Sequence, residues 1–222
     1  MLYEKDENSE AFSAQLREQF GQTNGGVMLA PNISKAYNTG VEHRAATPGV
    51  ETLSKGNTSE GLNIGSPVLF KTSSSVFMAD ASLAEEIFGP ESMVVEATSK
   101  DEILKIARNL SGHLTATING TAADLEAYKE LIDILELKVG RIIINGFPTG
   151  VDVSSAMVHG GPFPATSDSR ATSVGTAAIF RFTRPVSYQN MPDSLLPQQL
   201  QNANPLNIWR RVNGEITKNT IS

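Results

Sequence analysis

The sequence predicts an α/β fold in which helices flank an open, mostly parallel sheet. The clearest evidence lies between residues 93 and 145, where three apolar strands alternate with two amphipathic helices over short links. Strands joined in this way pair in parallel through right-handed crossovers. A chain of 222 residues is also long enough to bury a core without disulfides or metals.

The three strands of this segment are predicted at 93–97, 114–118 and 141–145. Ser99 followed by Glu102 indicates a capping box, in which Ser99 accepts from the third helical amide and Glu102 reaches back to the cap. The second helix begins near Thr121, with its inner face formed by Leu125, Tyr128, Ile132 and Leu135. The third strand carries three consecutive isoleucines, a pattern that predicts burial on both faces.

The N-terminal half contains helix patterns as well as strand patterns. Apolar spacing predicts a helix over 9–20, and Pro31 is placed to begin another, whose shared face is Ile33, Ala36, Tyr37 and Val41. Short strands are predicted at 50–53 and 68–71, and a short helix at 81–87 that ends at Gly89-Pro90.

The periodic pattern is lost from Gly146 to Gly175, a stretch rich in Gly, Pro, Ser and Thr. Irregular stretches of this length in a compact domain are usually functional. A last strand is predicted at 177–183, with a continuation at 186–189. Residues 191–222 are expected to form an extended tail over the surface, anchored by Trp209.

Composition excludes several classes of function. The net charge of −6 and a pI near 5.1 argue against a nucleic-acid-binding protein. The absence of cysteine rules out disulfides and a cysteine nucleophile. His43, His113 and His159 are spaced too widely to indicate a metal site. No targeting or membrane segment is visible, so a cytoplasmic location with no membrane partner is expected.

Two segments are candidates for a functional site, and each also has a structural interpretation. The sequence EEIFGP at residues 85–90 reads, on its own, as a helix end stopped by Gly-Pro. The longer stretch from Asn145 to Arg170 follows the carboxyl end of a strand, which is the edge where α/β sheets bind ligands. No G-x-G-x-x-G motif and no P-loop accompany them.

These motifs together resemble the C-terminal half of an aldehyde dehydrogenase. The string NGFPTGVDVSSAMVHGGPFPATSDSRATSVGT resembles the branch that acts on 2-oxoglutarate semialdehyde (2,5-dioxovalerate), and GGVMLAPNISKAY and ANPLNIWRRVNGEI extend the similarity over nearly the whole chain. The resemblance implies an NAD(P)-dependent oxidation of an aldehyde to a carboxylate. It also implies a fragment, because the family's cofactor domain, catalytic cysteine and general-base glutamate precede the matched segment.

The resemblance assigns roles residue by residue, and it assigns no catalytic residue to this chain. Glu86 and Phe88 match positions that contact the nicotinamide riboside. Phe147, Val151 and His159 fall in the loop that lines the aldehyde entrance, although loop packing explains them equally well. Arg170 could meet a substrate carboxylate, and its alternative is a local pair with Asp168.

The resemblance further divides the chain into a catalytic-domain portion at 1–176 and an oligomerisation strand with a tail at 177–222. NAD or NADP is expected in the parent enzyme, with none bound by this chain alone. Partners are expected to be further copies of the chain or a full-length paralogue. Three hypotheses remain open: an inactive fragment, a non-catalytic interaction subunit, and a complementing half whose cofactor domain and cysteine come from a separate chain.

Overall fold

The computed structural model describes residues 1–151 and 154–221, which divide into two compact units, Met1–Ala178 and Ile179–Ser222. The elements of the first unit are, in chain order, β1 (Leu2–Glu4), α1 (Ser9–Gln22), β2 (Gly26–Val27), α2 (Pro31–Ala45), β3 (Val50–Lys55), β4 (Ile64–Gly65), β5 (Val68–Ser73), α3 (Ser74–Ala79), β6 (Glu91–Ala97), α4 (Lys100–Asn109), β7 (His113–Ile118), α5 (Ala122–Ala127), α6 (Lys129–Glu136) and β8 (Val139–Ile144).

The main sheet has the strand order β1-β6-β5-β3. β6 pairs in parallel with both β1 and β5. β3 pairs with β5 in antiparallel orientation and forms one edge of the sheet. Side chains alternate across β5, so Phe70 packs into a core on one face and Leu69 into a second core on the other. Both residues are fully buried. The sheet is therefore covered on both sides, with Leu16 and Phe20 of α1 on the Leu69 face.

The predicted α/β class is confirmed, but the three central strands do not share one sheet. β7 and β8 form a separate parallel pair, whereas β6 joins β1 and β5. The prediction that the isoleucine strand is buried on both faces is wrong, because Ile142 and Ile143 are half-buried and Ile144 is exposed. α6 packs against β8, and no buried residue lies along β8.

The helix starts largely follow the predicted capping. Ser99 accepts a hydrogen bond from the Glu102 amide at 3.4 Å, but the Glu102 carboxylate accepts from the Thr98 amide at 2.7 Å, one residue before the cap. That carboxylate also accepts from the Ser74 hydroxyl, which ties α4 to α3. Thr121 and Asp124 complete a reciprocal capping box at the start of α5. The predicted single helix after Thr121 is divided in two at Tyr128.

The short helix predicted at 81–87 is only partly present. Residues Ala81–Ala84 form one 3₁₀ turn, and residues 85–90 are irregular. A regular helix, α3, instead precedes it and is capped by the Ser73 side chain, which accepts from the Val76 amide. The run of three serines hides this helix in the sequence because serine is common both in connections and at helix caps.

The prediction of a strand at 177–183 is wrong. Thr176–Phe182 form a 3₁₀ helix, and residues 183–189 make no strand pairing. A strand needs a neighbouring strand to pair its amide and carbonyl groups. No strand pairs with this segment within the described part of the chain, and its backbone forms 3₁₀ turns instead.

The second unit contains a hairpin that the sequence analysis missed, formed by β9 (Arg210–Val212) and β10 (Glu215–Thr217). The buried Asn204 supports it, because its side-chain amide donates to the carbonyls of Ile208 and Lys218. Trp209 is exposed, with the Lys218 ammonium 5.3 Å from its ring centre. The exposure of Trp209 therefore does not support its expected role as an anchor of the tail.

Glu96 links three strands of the main sheet. Its carboxylate accepts from the Tyr3 hydroxyl at 2.6 Å and from Lys71 Nζ at 2.9 Å, and it pairs with Lys5 at 3.2 Å. The Tyr3 hydrogen bond, followed by that of Lys71, lowers the pKa of Glu96 from 4.5 to about 2. Protonating this carboxylate removes an interaction shared by β1, β5 and β6.

We therefore predict that the free energy of unfolding falls as the pH is lowered from 4.5 towards 2. A depressed folded-state pKa gives stability that is complete above the unfolded-state value and is lost towards the folded-state value. Glu96→Gln should lower stability at neutral pH and lose this part of the pH dependence. Urea unfolding at a series of pH values measures both.

Glu51→Gln is the matched control, since Glu51 is an exposed glutamate of β3 in the same sheet. It should leave the acid branch of the stability curve as it is in the wild type. A Glu96→Gln variant with an unchanged acid branch would contradict the role assigned to Glu96.

Candidate functional site

An open groove of about 820 Å³ runs along α2 in the first unit. One wall is a single face of α2, and the other is the chain between the 3₁₀ turn and β6. The α2 side presents Asn32, Lys35, Ala36, Thr39, Gly40 and His43, and the opposite side presents Leu83, Glu85, Glu86, Ile87 and Phe88. The structure therefore brings both predicted cofactor residues, Glu86 and Phe88, to one groove.

Close packing holds the second wall against α2. Ile87 rests on Gly40, where an added Cβ would lie 3.1 Å from Ile87 Cγ2. Gly89 has φ +155° and lies so close to Tyr37 that an added Cβ would be 2.3 Å from the ring. Only glycine fits there. The Gly-Pro of EEIFGP thus serves packing and chain direction beside α2, rather than a helix end.

Within the 85–90 stretch, Ile87 is the one partly buried residue, and the others are exposed. Ile87 turns in towards Gly40, whereas Glu86 and Phe88 on either side of it are exposed, Phe88 by 68%. A carboxylate and an aromatic ring therefore stand two residues apart on the open side of the groove. This pair can accept hydrogen bonds from hydroxyl groups and pack against a flat ring.

Tyr37 lies beneath this wall and is buried. Its hydroxyl donates to the Ser66 carbonyl at 2.6 Å. Burial, with a smaller contribution from Glu91, raises the pKa of Tyr37 to about 12. The phenol therefore stays protonated at neutral pH and acts as a packing residue rather than as an acid or base.

The loop after β8 begins at the carboxyl end of that strand, as predicted. Phe147 is 87% exposed there, and Val151 is half-buried. Arg141 of β8 donates to the Pro148 carbonyl at 2.7 Å and lies 3.9 Å from the Met157 sulfur, which holds the loop along the strand. Sequence reasoning did not single out Arg141. A charged residue in the otherwise apolar strand 141–145 could have indicated that its side chain has a specific partner.

His159 lies by the opposite ends of the strands. A Cβ added to Gly140, near the start of β8, would be 2.0 Å from the carbonyl oxygen of Gly160. A Cβ added to Gly161 would be 2.4 Å from the carbonyl oxygen of His113, the first residue of β7. The residues next to His159 therefore lie at the amino ends of the two strands, whereas the loop that carries Phe147 begins at the carboxyl end of β8.

Backbone contacts fix the position of His159. The buried Thr172 accepts from the His159 amide at 2.8 Å and donates to the Val174 carbonyl at 2.7 Å. Ser173 donates to the His159 carbonyl through both its amide and its hydroxyl. The Gly-Gly stretch is therefore a tightly packed corner beneath β7 and β8.

Arg170 pairs with Asp168 through Nε at 3.2 Å, and its side chain is 89% exposed. This is the local pairing that the sequence analysis kept as an alternative. Among residues 1–151 and 154–221, no group of three His, Asp or Glu side chains is placed to hold a metal ion. Nor does any helix in that range have the length and apolar character needed to cross a membrane.

The fold is that of part of an aldehyde dehydrogenase. An NAD⁺ complex of aldehyde dehydrogenase from Bacillus cereus matches with a TM-score of 0.66 and 18% identity, covering 82% of this chain and 37% of that one. Salicylaldehyde dehydrogenase from Pseudomonas putida G7 matches with a TM-score of 0.60 and 19% identity, over 85% of this chain and 40% of that one.

Sequence comparison identifies closer relatives. Alpha-ketoglutaric semialdehyde dehydrogenase of Acinetobacter baylyi is 46% identical over 194 residues, which are 87% of this chain and 37% of that protein. Alpha-ketoglutaric semialdehyde dehydrogenase 2 of Azospirillum brasilense is 44% identical over 190 residues, which are 86% and 36% respectively. No protein-family model matches the sequence.

Over most of its length the chain is thus similar to part of an aldehyde dehydrogenase, which confirms the resemblance found in the sequence. The chain spans little more than a third of the length of these relatives.

Sequence reasoning missed the α2 side of the groove. Asn32, Lys35, Thr39 and His43 share the face of α2 that looks across to Glu86 and Phe88. Their helical spacing was visible in the sequence. The sequence does not show which element packs opposite EEIFGP, and the structure places the polar face of α2 there.

Proposed function

We propose that this chain forms the part of an NAD(P)-dependent aldehyde dehydrogenase that contacts the nicotinamide riboside of the cofactor. The observation that carries the proposal is the pair Glu86 and Phe88, exposed together on one wall of the groove. The reaction is the oxidation of 2-oxoglutarate semialdehyde to the carboxylate, as the names of the relatives indicate.

The residues present fit this end of a dinucleotide. The Glu86 carboxylate accepts hydrogen bonds from ribose hydroxyls, and the Phe88 ring packs against the flat nicotinamide. Lys35 and Asn32, across the groove, offer donors on the α2 side. When bound, the cofactor supplies the hydride acceptor. The protein groups bind and orient it.

The aldehyde side is proposed at the carboxyl end of β8. Phe147 and Val151 stand there in the loop that Arg141 holds, and they are proposed to line the entrance. Arg170, which is exposed, is proposed to meet the carboxylate of the substrate in exchange for its contact with Asp168. For His159, a role at this entrance stays a prediction.

We predict that nicotinamide mononucleotide binds with a dissociation constant on the order of millimolar, and that NAD⁺ binds no more tightly. The reason is that this groove contacts only the nicotinamide end. Phe88→Ala and Glu86→Gln should each weaken binding several-fold, as measured by ligand-observed NMR titration.

Phe163→Ala and Glu60→Gln are the matched controls, because both residues are exposed and neither lines the groove. They should leave the affinity unchanged. NAD⁺ binding at micromolar concentration, or equal affinity in the Phe88→Ala and Phe163→Ala variants, would show that the groove is not the nicotinamide site.

We also predict that the chain by itself does not oxidise aldehydes. The family reaction uses a cysteine thiolate as its nucleophile, and this sequence contains no cysteine. Purified protein incubated with 2-oxoglutarate semialdehyde and NAD⁺ or NADP⁺ should give no absorbance at 340 nm above a buffer blank. Formation of the reduced cofactor by this chain alone would overturn the prediction.

The same proposal includes a partner chain, either a second copy or a longer paralogue. The segment from Ile179 to Tyr188 favours this, because its apolar side chains are mostly exposed: Ile179, Phe180, Phe182, Val186 and Tyr188. Such a concentration of exposed apolar side chains is typical of an interaction surface. In the observed 3₁₀ helix, residues three apart share a face, so Phe182 lies with Ile179 rather than with Phe180.

Phe182→Lys should therefore shift the protein towards the monomer by placing a charge in this contact. Light scattering at tens of micromolar measures the change, and Leu137→Lys, an exposed apolar residue after α6, is the control. If the wild-type protein is already a monomer at this concentration, the self-association proposed for residues 179–188 is wrong.

A further inference from the structure

Arg44 is a buried cation in the last turn of α2, with 6% of its side chain exposed. Its Nη1 pairs with the Glu91 carboxylate at 2.8 Å, and Glu91 is itself only 8% exposed. Its Nη2 donates to the Glu85 carbonyl at 2.7 Å and lies 3.4 Å from the Ser82 carbonyl. One guanidinium thus contacts the 3₁₀ turn, the residue that follows it and the first residue of β6.

Two of the residues that Arg44 contacts lie at the two ends of the groove wall. Glu85 and Glu91 bound the 85–91 segment, which carries Glu86 and Phe88 between them. Inside the segment, Ile87 rests on Gly40 and Gly89 rests on Tyr37. From Glu85 to Gly89 the segment therefore runs antiparallel to α2, and the Glu91 side chain meets Arg44 again. Arg44 holds both ends of the segment, and close packing holds its middle.

We propose that Arg44 is a positioning residue: by fixing both ends of the 85–91 segment, it keeps Glu86 and Phe88 together on the open side of the groove. Its role in cofactor contact rests on the function proposed above. Arg44 does not itself touch the ligand in this proposal. The planar guanidinium suits the task because its donors point in fixed, divergent directions, which the single ammonium of lysine does not provide.

Because Arg44 and Glu91 are both buried, a double variant tests the role of Arg44 better than a single one. Removing Arg44 alone leaves the Glu91 carboxylate buried without its partner, and such variants often fail to fold. Arg44→Met combined with Glu91→Leu removes both charges and keeps the volume apolar, a change that folded proteins usually tolerate. The double variant therefore releases the segment without leaving either member of the Arg44–Glu91 pair buried without its partner.

The first measurement is limited proteolysis with chymotrypsin under native conditions, following cleavage after Phe88. Cleavage at a folded site reports the local opening of the segment. The Arg44→Met/Glu91→Leu variant should be cut about tenfold faster or more at Phe88, with its thermal unfolding midpoint near that of the wild type. The Arg108→Met/Glu130→Leu variant, which removes the exposed pair between α4 and α6, is the control and should be cut at the wild-type rate.

The second measurement is fluorine NMR of protein labelled with fluorophenylalanine, with the Phe88 signal assigned by Phe88→Leu. Nicotinamide mononucleotide should shift this signal in the wild type and in the Arg108→Met/Glu130→Leu variant. The shift should be lost, or need several-fold more ligand, in the Arg44→Met/Glu91→Leu variant. A variant that merely lost stability elsewhere would keep the response.

The outcomes separate the two proposals. Unchanged cleavage at Phe88 in the Arg44→Met/Glu91→Leu variant overturns the positioning role of Arg44, and so does faster cleavage with wild-type ligand affinity. If the wild-type Phe88 signal does not respond to the mononucleotide while the variant is cut faster, the cofactor contact fails and the constraint on the segment stands. Faster cleavage together with a lost response supports both.

Discussion

The parallel pairing of β5 with β6 is the constraint on which the rest of the first unit depends. Both strands carry fully buried residues, Leu69 and Phe70 on β5 and Val94 on β6, and their alternation places a core on each face of the sheet. β1 pairs with β6, β3 pairs with β5, and α1 packs on one face. Burial on both sides fixes the register, because a shift of one residue would turn every apolar side chain the wrong way.

This strand pair also fixes the groove. The 85–91 segment runs directly into β6, and the amide of Val68, the first residue of β5, donates to the Pro90 carbonyl at 3.0 Å. Tyr37 of α2 reaches the Ser66 carbonyl just before β5. An irregular segment carrying two exposed side chains is thus bounded by a rigid sheet and a helix. Such support is what a binding site needs to hold its contact groups in place.

Glycine has two different uses in the candidate regions. Gly89 lets the groove wall lie against the Tyr37 ring, whereas Gly140, Gly160 and Gly161 let the loop after β8 pack beneath the strands. The loop therefore extends from the carboxyl end of β8 to the amino ends of β7 and β8. Phe147 and His159 share this continuous stretch of sequence, which reaches the start of β8 at Gly160.

The sequence by itself determined the α/β class, the starts of α1, α2, α4 and α5, and the resemblance to aldehyde dehydrogenases, because these follow from local spacing and from a long specific motif. Only the tertiary structure decided that EEIFGP faces the polar side of α2, that Arg44 contacts both ends of the 85–91 segment, and that the Gly-Gly stretch packs at the amino ends of β7 and β8. The 177–183 segment has a strand-like pattern but no strand to pair with, and it became a 3₁₀ helix. Spacing along a chain specifies which face of an element is apolar, whereas contacts between distant residues depend on which elements pack together.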